Sequence, residues 1–169
     1  MVDKYAGERG EPTGSICGST SLLFDGYYLK LHAGPVSGGI VTQAWHARSG
    51  HKISGMFDYS VERQGIPNNG PIPEGEYWIQ PSQLREFLWA GDSWGCARIT
   101  IHPQTATNTY SRGGFFIHGG KVFGSIGCID LAYGMDSFRN KIKSLAPSTS
   151  GDCTIPLTVK YAATSVGDP

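Results

Sequence analysis

A histidine and a cysteine ten residues apart are the side chains in this sequence best suited to covalent chemistry. His118 closes the apolar run Phe115-Phe116-Ile117-His118, and Cys128 opens another, Cys128-Ile129-Asp130-Leu131. Six residues separate the histidine from Ser125-Ile126-Gly127-Cys128. A return loop of that length brings residues 118 and 128 side by side across a hairpin-like connection. An imidazole beside a thiol can take its proton, and the thiolate is the reactive nucleophile. Gly127 leaves the backbone ahead of the cysteine uncrowded, so the amides of Gly127 and Cys128 can point at a developing oxyanion. As an arbitrary pair, the two residues would read as a satisfied core histidine and a buried thiol.

The elements that must carry this pair are mostly strands. Glycine makes up 24 of 169 residues, and helix interiors disfavour glycine by about 1 kcal/mol relative to alanine. Leu22-Leu23-Phe24, the turn Asp25-Gly26, and Tyr27 to His32 predict a β-hairpin, because Asp-Gly supplies the positive φ of a tight turn. Further strands are predicted at Ile40 to His46, Glu76 to Gln80, Ala97 to His102 and Phe115 to His118. Thr154 to Tyr161 reads as a last strand, with Pro156 pointing to an edge position. Residues 52–71 read as a long loop. A helix is predicted from Asp136 to Leu145, where Phe138, Ile142 and Leu145 recur at i, i+4 and i+7 ahead of Pro147. Residues 1–20 read as a flexible N-terminal segment, and 21–169 as a single, mainly β domain.

Composition excludes several classes. Lys and Arg total 14 against 14 Asp and Glu, so the formal net charge is zero and no global field favours nucleic acid or an anionic membrane. A hydrophobic content of 39% excludes a charge-driven disordered chain. No run approaches the roughly 18 apolar residues of a membrane span, and the first ten residues hold no apolar signal-peptide core. Cys17, Cys96, Cys128 and Cys153 form no C-x-x-C pair, so neither a structural zinc site nor a thioredoxin-type motif is expected. In an oxidising compartment two of Cys17, Cys96 and Cys153 can pair, without the sequence choosing which.

With these residues in place, the sequence resembles the L,D-transpeptidase (YkuD-like) family. His118-Gly119 followed by Ser125-Ile126-Gly127-Cys128 is similar to that family's signature. Upstream, Gly70-Pro71-Ile72-Pro73-Glu74-Gly75-Glu76-Tyr77-Trp78-Ile79 is similar to its Pro-x-Gly-x-(aromatic) strand start. The two motifs in this order, with Ile129-Asp130-Leu131 after the cysteine, most resemble the type VI secretion L,D-transpeptidase effector branch. The housekeeping enzymes commonly carry His at the position of Ile126, Arg at that of Asp130, and a longer spacing than the seven residues from His118 to Ser125. Arg112 is the candidate to replace the missing arginine in holding a substrate carboxylate.

The resemblance implies a YkuD-like β-sandwich with Cys128 as nucleophile and His118 as general base. The Gly119 carbonyl would orient the imidazole, Ser125 would shape the loop or contact substrate, and Gly127 would line the substrate site. The implied substrate is the peptidoglycan tetrapeptide stem, cleaved after its third residue through a thioester, with no cofactor and no metal. Water would complete L,D-carboxypeptidase action, and an amine would complete exchange or cross-linking. A wall-directed motif without a signal peptide implies synthesis in the cytoplasm and export into a target cell's periplasm. That route implies a secretion apparatus and a cognate immunity protein as partners.

Rival readings are a papain-like peptidoglycan amidase or endopeptidase, a zinc peptidase and a non-catalytic wall-binding β-domain. The first places its cysteine before its histidine at a helix start, the reverse of the order here. For the second, no H-x-H or H-E-x-x-H occurs, and His46 and His51 are expected at the surface or in loops. His102 could line the cleft or serve structure. Four Trp and eight Tyr suit sugar stacking, yet in a small β-fold aromatics mostly build core.

Overall fold

A computed structural model describes residues 8–91, 93–146 and 152–169. In chain order the first strands are β1 (Ser15–Ile16), β2 (Thr20–Phe24), β3 (Tyr28–Ala33), β4 (Ile40–His46) and β5 (Arg48–Ser49). There follow β6 (Lys52–Ile53), β7 (Met56–Asp58), the one-turn helix α1 (Val61–Gln64), β8 (Gly75–Ile79), β9 (Arg85–Gly91) and β10 (Gly95–Thr100). The chain continues through β11 (His102–Pro103), β12 (Phe116–His118), β13 (Ile129–Asp130), α2 (Met135–Leu145), β14 (Cys153–Val159) and β15 (Ser165–Val166).

The fold is mainly β, as expected. A seven-stranded sheet runs β11-β8-β14-β2-β3-β4, with β1 also on β14, and a five-stranded sheet runs β5-β13-β12-β10-β9. Alternation places Leu22, Phe24, Leu29, Leu31, Tyr77, Ile79, Ile155 and Leu157 of the first sheet in one buried cluster with Ile99, Ile117 and Ile129 of the second. Each such side chain contributes about 1.5–3 kcal/mol by leaving water. The amphipathic stripe of α2 closes the cluster through Met135, Phe138 and Ile142, with Phe138 meeting Trp45 edge-on at 5.2 Å. Glu86 of β9 faces Arg139 and Lys143 of α2 at 3.6 and 3.2 Å. No helix among the described residues is long and apolar enough to cross a membrane.

The Asp25-Gly26 hairpin forms as predicted. Asp25 accepts the amides of Tyr27 and Tyr28 at 2.9 and 2.8 Å, and Gly26 has φ +93°. Three expectations differ. The 52–71 stretch is not all loop, since β6, β7 and α1 lie within it. Pro156 does not mark an edge, because β14 pairs β8 on one side and β1 and β2 on the other. On that second side β1 covers Cys153 and Thr154 while β2 begins at Leu157, so Pro156 falls opposite the gap, where its missing N–H costs no ladder bond. Finally, the described part of the N-terminal segment is tied down rather than loose. Gly10 donates to the Pro103 carbonyl, Arg9 donates to the Thr107 carbonyl and Thr109 hydroxyl, and Cys17 is disulfide-bonded to Cys153.

Candidate functional site

Register in the five-stranded sheet brings His118 and Cys128 together. β12 and β13 are parallel neighbours with Ile117 opposite Ile129 and His118 opposite Asp130. One step back, Cys128 lies beside Phe116. Paired residues share a face, so Phe116, His118, Cys128 and Asp130 are on one face, and Ile117 and Ile129 pack into the core from the other. The connection is therefore a parallel crossover through residues 119–128, not the hairpin-like return expected. The hydrogen-bond ladder sets the alignment of the pair, and the loop only has to span it.

His118 is 4% exposed and Cys128 5%. The Nδ1 of His118 lies 2.6 Å from the Gly119 carbonyl oxygen. A carbonyl only accepts, so Nδ1 carries the proton and Nε2 keeps its lone pair. Burial lowers the His118 pKa; the Gly119 carbonyl opposes that and Arg98 adds to it. Burial pushes the Cys128 thiol up to about 12, against the Phe116 amide and the charges of Arg98 and Arg112, which favour the thiolate. Burial thus favours the neutral form of both groups. Sγ lies 4.0 Å from the Gly114 carbonyl.

The segment around the cysteine is held from several sides. Ser125 Oγ donates to the Cys128 carbonyl at 2.7 Å and accepts the Gly50 amide at 3.0 Å. It also accepts the Gly127 amide at 3.3 Å, which turns that amide toward the serine rather than toward an oxyanion. Asp130, 1% exposed, accepts Gly124 N–H at 3.1 Å and Ala132 N–H at 2.8 Å, pinning both flanks of the segment. Gly127 has φ +131°, and a Cβ there would stand 2.7 Å from an Arg112 nitrogen and 3.2 Å from the Phe115 ring. Only glycine fits this position.

Beyond the histidine, β9 and β10 form an aromatic wall. The Trp94 ring meets His118 at 4.9 Å and Phe116 at 5.7 Å, both edge-on, and its carbonyl accepts the Gly119 amide at 2.9 Å. Gly95, at φ +68°, lets this turn approach, since a Cβ would be 2.8 Å from the Gly120 nitrogen. Arg98 is the cross-strand partner of His118. Its guanidinium lies 4.6 Å from the Phe116 ring centre and 5.0 Å from that of Trp94. A cleft of about 450 Å³ opens along this wall, lined by Phe87, Leu88, Trp89 and Trp94 among others.

A family model described as the Tlde1 domain matches residues 46–152, which hold every residue of the site just described. The chain belongs to the Tlde1-domain family. This is the type VI secretion L,D-transpeptidase effector family, a family of peptidoglycan-modifying enzymes. No curated protein matches the chain. Among solved structures, Bd1075 of Bdellovibrio bacteriovorus is similar at a TM-score of 0.53 and 15% identity, over 88% of this chain and 50% of that one. A variant of the helical cell shape determining protein Pgp2 of Campylobacter jejuni is similar at 0.52 and 14%, over 90% and 53%. At such identities the likeness establishes a shared fold, and this chain spans about half the length of either neighbour.

Within the Tlde1 domain, the residues singled out by sequence fare differently. His118 and Cys128 fall on one face of the sheet with the Gly119 carbonyl on the imidazole, and Ser125 and Gly127 shape the cysteine segment. Arg112 is the exception. Its Nη1 donates to the Gln64 and Pro71 carbonyls at 2.5 and 2.6 Å, and its Nη2 to those of Gly70 and Ile126 at 2.8 and 3.3 Å. It clamps the 64–71 segment to the site, and those nitrogens are not presented as an open fork for a carboxylate. His102 is fully buried against Gln83 and stacked on Trp78 at 4.2 Å in the other sheet, while His46 and His51 are exposed. Sequence reasoning missed Arg98 and Trp94. Arg98 gave no signal there, because it sits where the alternation Ala97-Arg98-Ile99-Thr100-Ile101 puts a polar residue.

Proposed function

We propose that His118 and Cys128 act as base and nucleophile in acyl transfer on the tetrapeptide stem of peptidoglycan. The observation that carries this reading is the His118–Gly119 bond of 2.6 Å, which leaves Nε2 as proton acceptor on the face shared with Cys128. Family membership supports the wall as substrate, and the same reading assigns no cofactor.

Nε2 takes the thiol proton as Sγ attacks the carbonyl of the third stem residue. With the Gly127 amide held by Ser125, the Cys128 amide is the backbone donor assigned to the oxyanion. Collapse of the intermediate breaks the C–N bond. Its electron pair goes to the nitrogen of the terminal D-alanine, which leaves with the proton held by the imidazole. The thioester then accepts water, with His118 again the base, giving a tripeptide carboxylate and a restored thiol. An amine in place of water gives exchange or cross-linking. With burial favouring the neutral thiol, the imidazole acts during attack rather than before it.

This reading extends to delivery through a type VI apparatus, action in a target periplasm and neutralisation by an immunity partner, each supported by the family alone. It invokes neither nucleic acid nor membrane.

The test is mass spectrometry of tetrapeptide muropeptides incubated with purified, thiol-reduced protein. Loss of the terminal D-alanine, or its replacement by an added D-amino acid, is the expected result. Cys128→Ala should abolish turnover, and His118→Ala should slow it by about 10²–10⁴-fold, both with unchanged melting. Intact tetrapeptides after incubation with folded wild-type protein would refute the reading.

A further inference from the structure

We infer that a cleft on the outer face of the seven-stranded sheet is a second, non-catalytic site for a stem peptide. It holds the enzyme to the wall while Cys128 works on another stem. The identity of the peptide rests on the acyl-transfer reading above. The cleft has a volume of about 700 Å³, within the range of small-ligand sites. The inner face of this sheet packs on the core, and the five-stranded sheet packs on that core from the other side. The cleft and the face that carries His118 and Cys128 therefore look in opposite directions, so two stems of one polymer can be engaged together.

The fold builds this cleft. β14 is its floor, with Pro156, Thr158 and then Lys160 alternating outward while Ile155, Leu157 and Val159 face the core. The floor lies open because β1 stops at Ile16, opposite Thr154, and β2 first pairs at Leu157. Between those strands the turn Cys17–Ser19 is pinned by the Cys17–Cys153 disulfide. Residues 34–37 raise the wall beside it, held where Gly34 N–H and Ser21 Oγ donate to the Ser19 and Gly34 carbonyls, both at 2.6 Å.

Its charges suit a zwitterion. Lys160 is exposed and enters no ion pair among the described residues. Glu76, opposite Thr158 on β8, is also exposed and accepts the Thr158 hydroxyl through Oε2 at 2.8 Å, which leaves Oε1 for a cation. The two residues are diagonal neighbours across the ladder, roughly 7–8 Å apart. Ser21 is 5% exposed, and its oxygen still has a lone pair for an incoming N–H. Across the ladder from Ser21 and on its face, His32 is also 5% exposed, and neither ring nitrogen has a hydrogen-bond partner. Buried polar groups are normally paired, so this unmet one marks the border of the cleft as a place for a polar ligand. A tetrapeptide stem matches the arrangement. The diamino acid at its third position brings an ammonium for Glu76, its terminal D-alanine brings a carboxylate for Lys160, and its amides face Ser21. Among the described residues no aromatic ring lines the cleft for a sugar to stack on. A second contact of this kind raises apparent affinity for a polymer without touching the chemistry.

The test titrates full-length Cys128→Ala, which binds without turnover, with the free tetrapeptide stem and follows backbone amides by NMR. Two groups should shift, one around residue 128 and one at Ser21, Gly34 and Thr158. The same peptide, acetylated on its third side chain and amidated at its C-terminus, should leave the second group unmoved. Adding Lys160→Glu should weaken binding at the second group by about fivefold, as an exposed ion pair gives way to a like-charge contact. With Cys128 intact, Lys160→Glu should lose about 3- to 10-fold more D-alanine release on whole sacculi than on soluble muropeptides. Unmoved cleft amides, equal shifts with the blocked peptide, or equal effects on sacculi and soluble stems overturn the inference and leave the acyl-transfer reading standing. Shifts at the cleft in a protein whose wild type cleaves no stem overturn the acyl-transfer reading and leave the peptide site.

Discussion

Asp130 is a carboxylic acid in a place that opposes its charge. Burial raises its pKa to about 7, with the Ala132 and Gly124 amides resisting the rise. Between about pH 4, where a carboxyl of the unfolded chain ionises, and about pH 7, the folded protein holds a proton that the unfolded chain has released. Unfolding free energy therefore falls as pH rises through this window, by up to about 1.4 kcal/mol per unit. This contribution is complete below pH 4 and is lost above the folded pKa. His118 works in the opposite sense, since its lowered pKa makes the folded state release its proton first. Comparing wild type with Asp130→Asn cancels the histidine. The variant should be more destabilised relative to wild type at pH 4 than at pH 8, and denaturant titrations at the two pH values test this. An unchanged difference would mean that the acid is already ionised at the lower pH. The position could be picked out in the sequence, where it departs from the arginine common in the housekeeping enzymes. Its burial could not, because the covering strand is β5, which pairs Arg48 opposite Asp130 across 82 residues of chain.

At the level of elements, the longer core strands and α2 were legible because alternation and the i, i+4, i+7 stripe are local signals, whereas β9, mostly exposed between Arg85 and Gly91, was not read as a strand. The parallel pairing of β12 and β13 was not, since sequence alone does not distinguish a short return from a short crossover. The one-turn helix α1 and the small β6–β7 hairpin also escaped notice, being too short for a period to show. Arg112 illustrates the same limit: its type suggested a ligand for substrate, whereas its partners are carbonyls 41–48 residues away and Ile126 nearby. If clamping is its role, Arg112→Met should cost about 2–4 kcal/mol in chemical denaturation, since buried carbonyls lose charged donors. A raised KM with unchanged stability would instead return it to the substrate site.

For the whole molecule, the sequence left the cysteine pairing open, and the fold closes it by placing β1 alongside β14. Cys17 and Cys153 thereby join segments 136 residues apart, across the strand at the centre of the larger sheet. A cross-link enclosing so much chain restricts the unfolded state strongly, so Cys153→Ser should lower stability by about 2–5 kcal/mol. For a chain of this size that corresponds to a melting temperature lower by about 5–15 °C. Calorimetry of the variant, and of wild type with and without reductant, measures it. Cys96 and Cys128 are free thiols, and only the latter belongs to the site. Labelling of the folded protein should separate them, because Cys96 is half-buried and Cys128 fully buried.

The parallel crossover also bears on how such a site can diversify. His118 and Cys128 are aligned by backbone pairing, and the span between them is anchored at Gly119 and again from Gly124 onward. Gly120 is buried against the Gly95 turn and Phe123 packs on the core, so the exposed tip at Val122 is where the span can change length with least effect on that alignment. Cleft shape and chemistry are inherited separately in this architecture, so homologues can trade substrates through loop length while the strand pair goes on presenting the same histidine to the same cysteine.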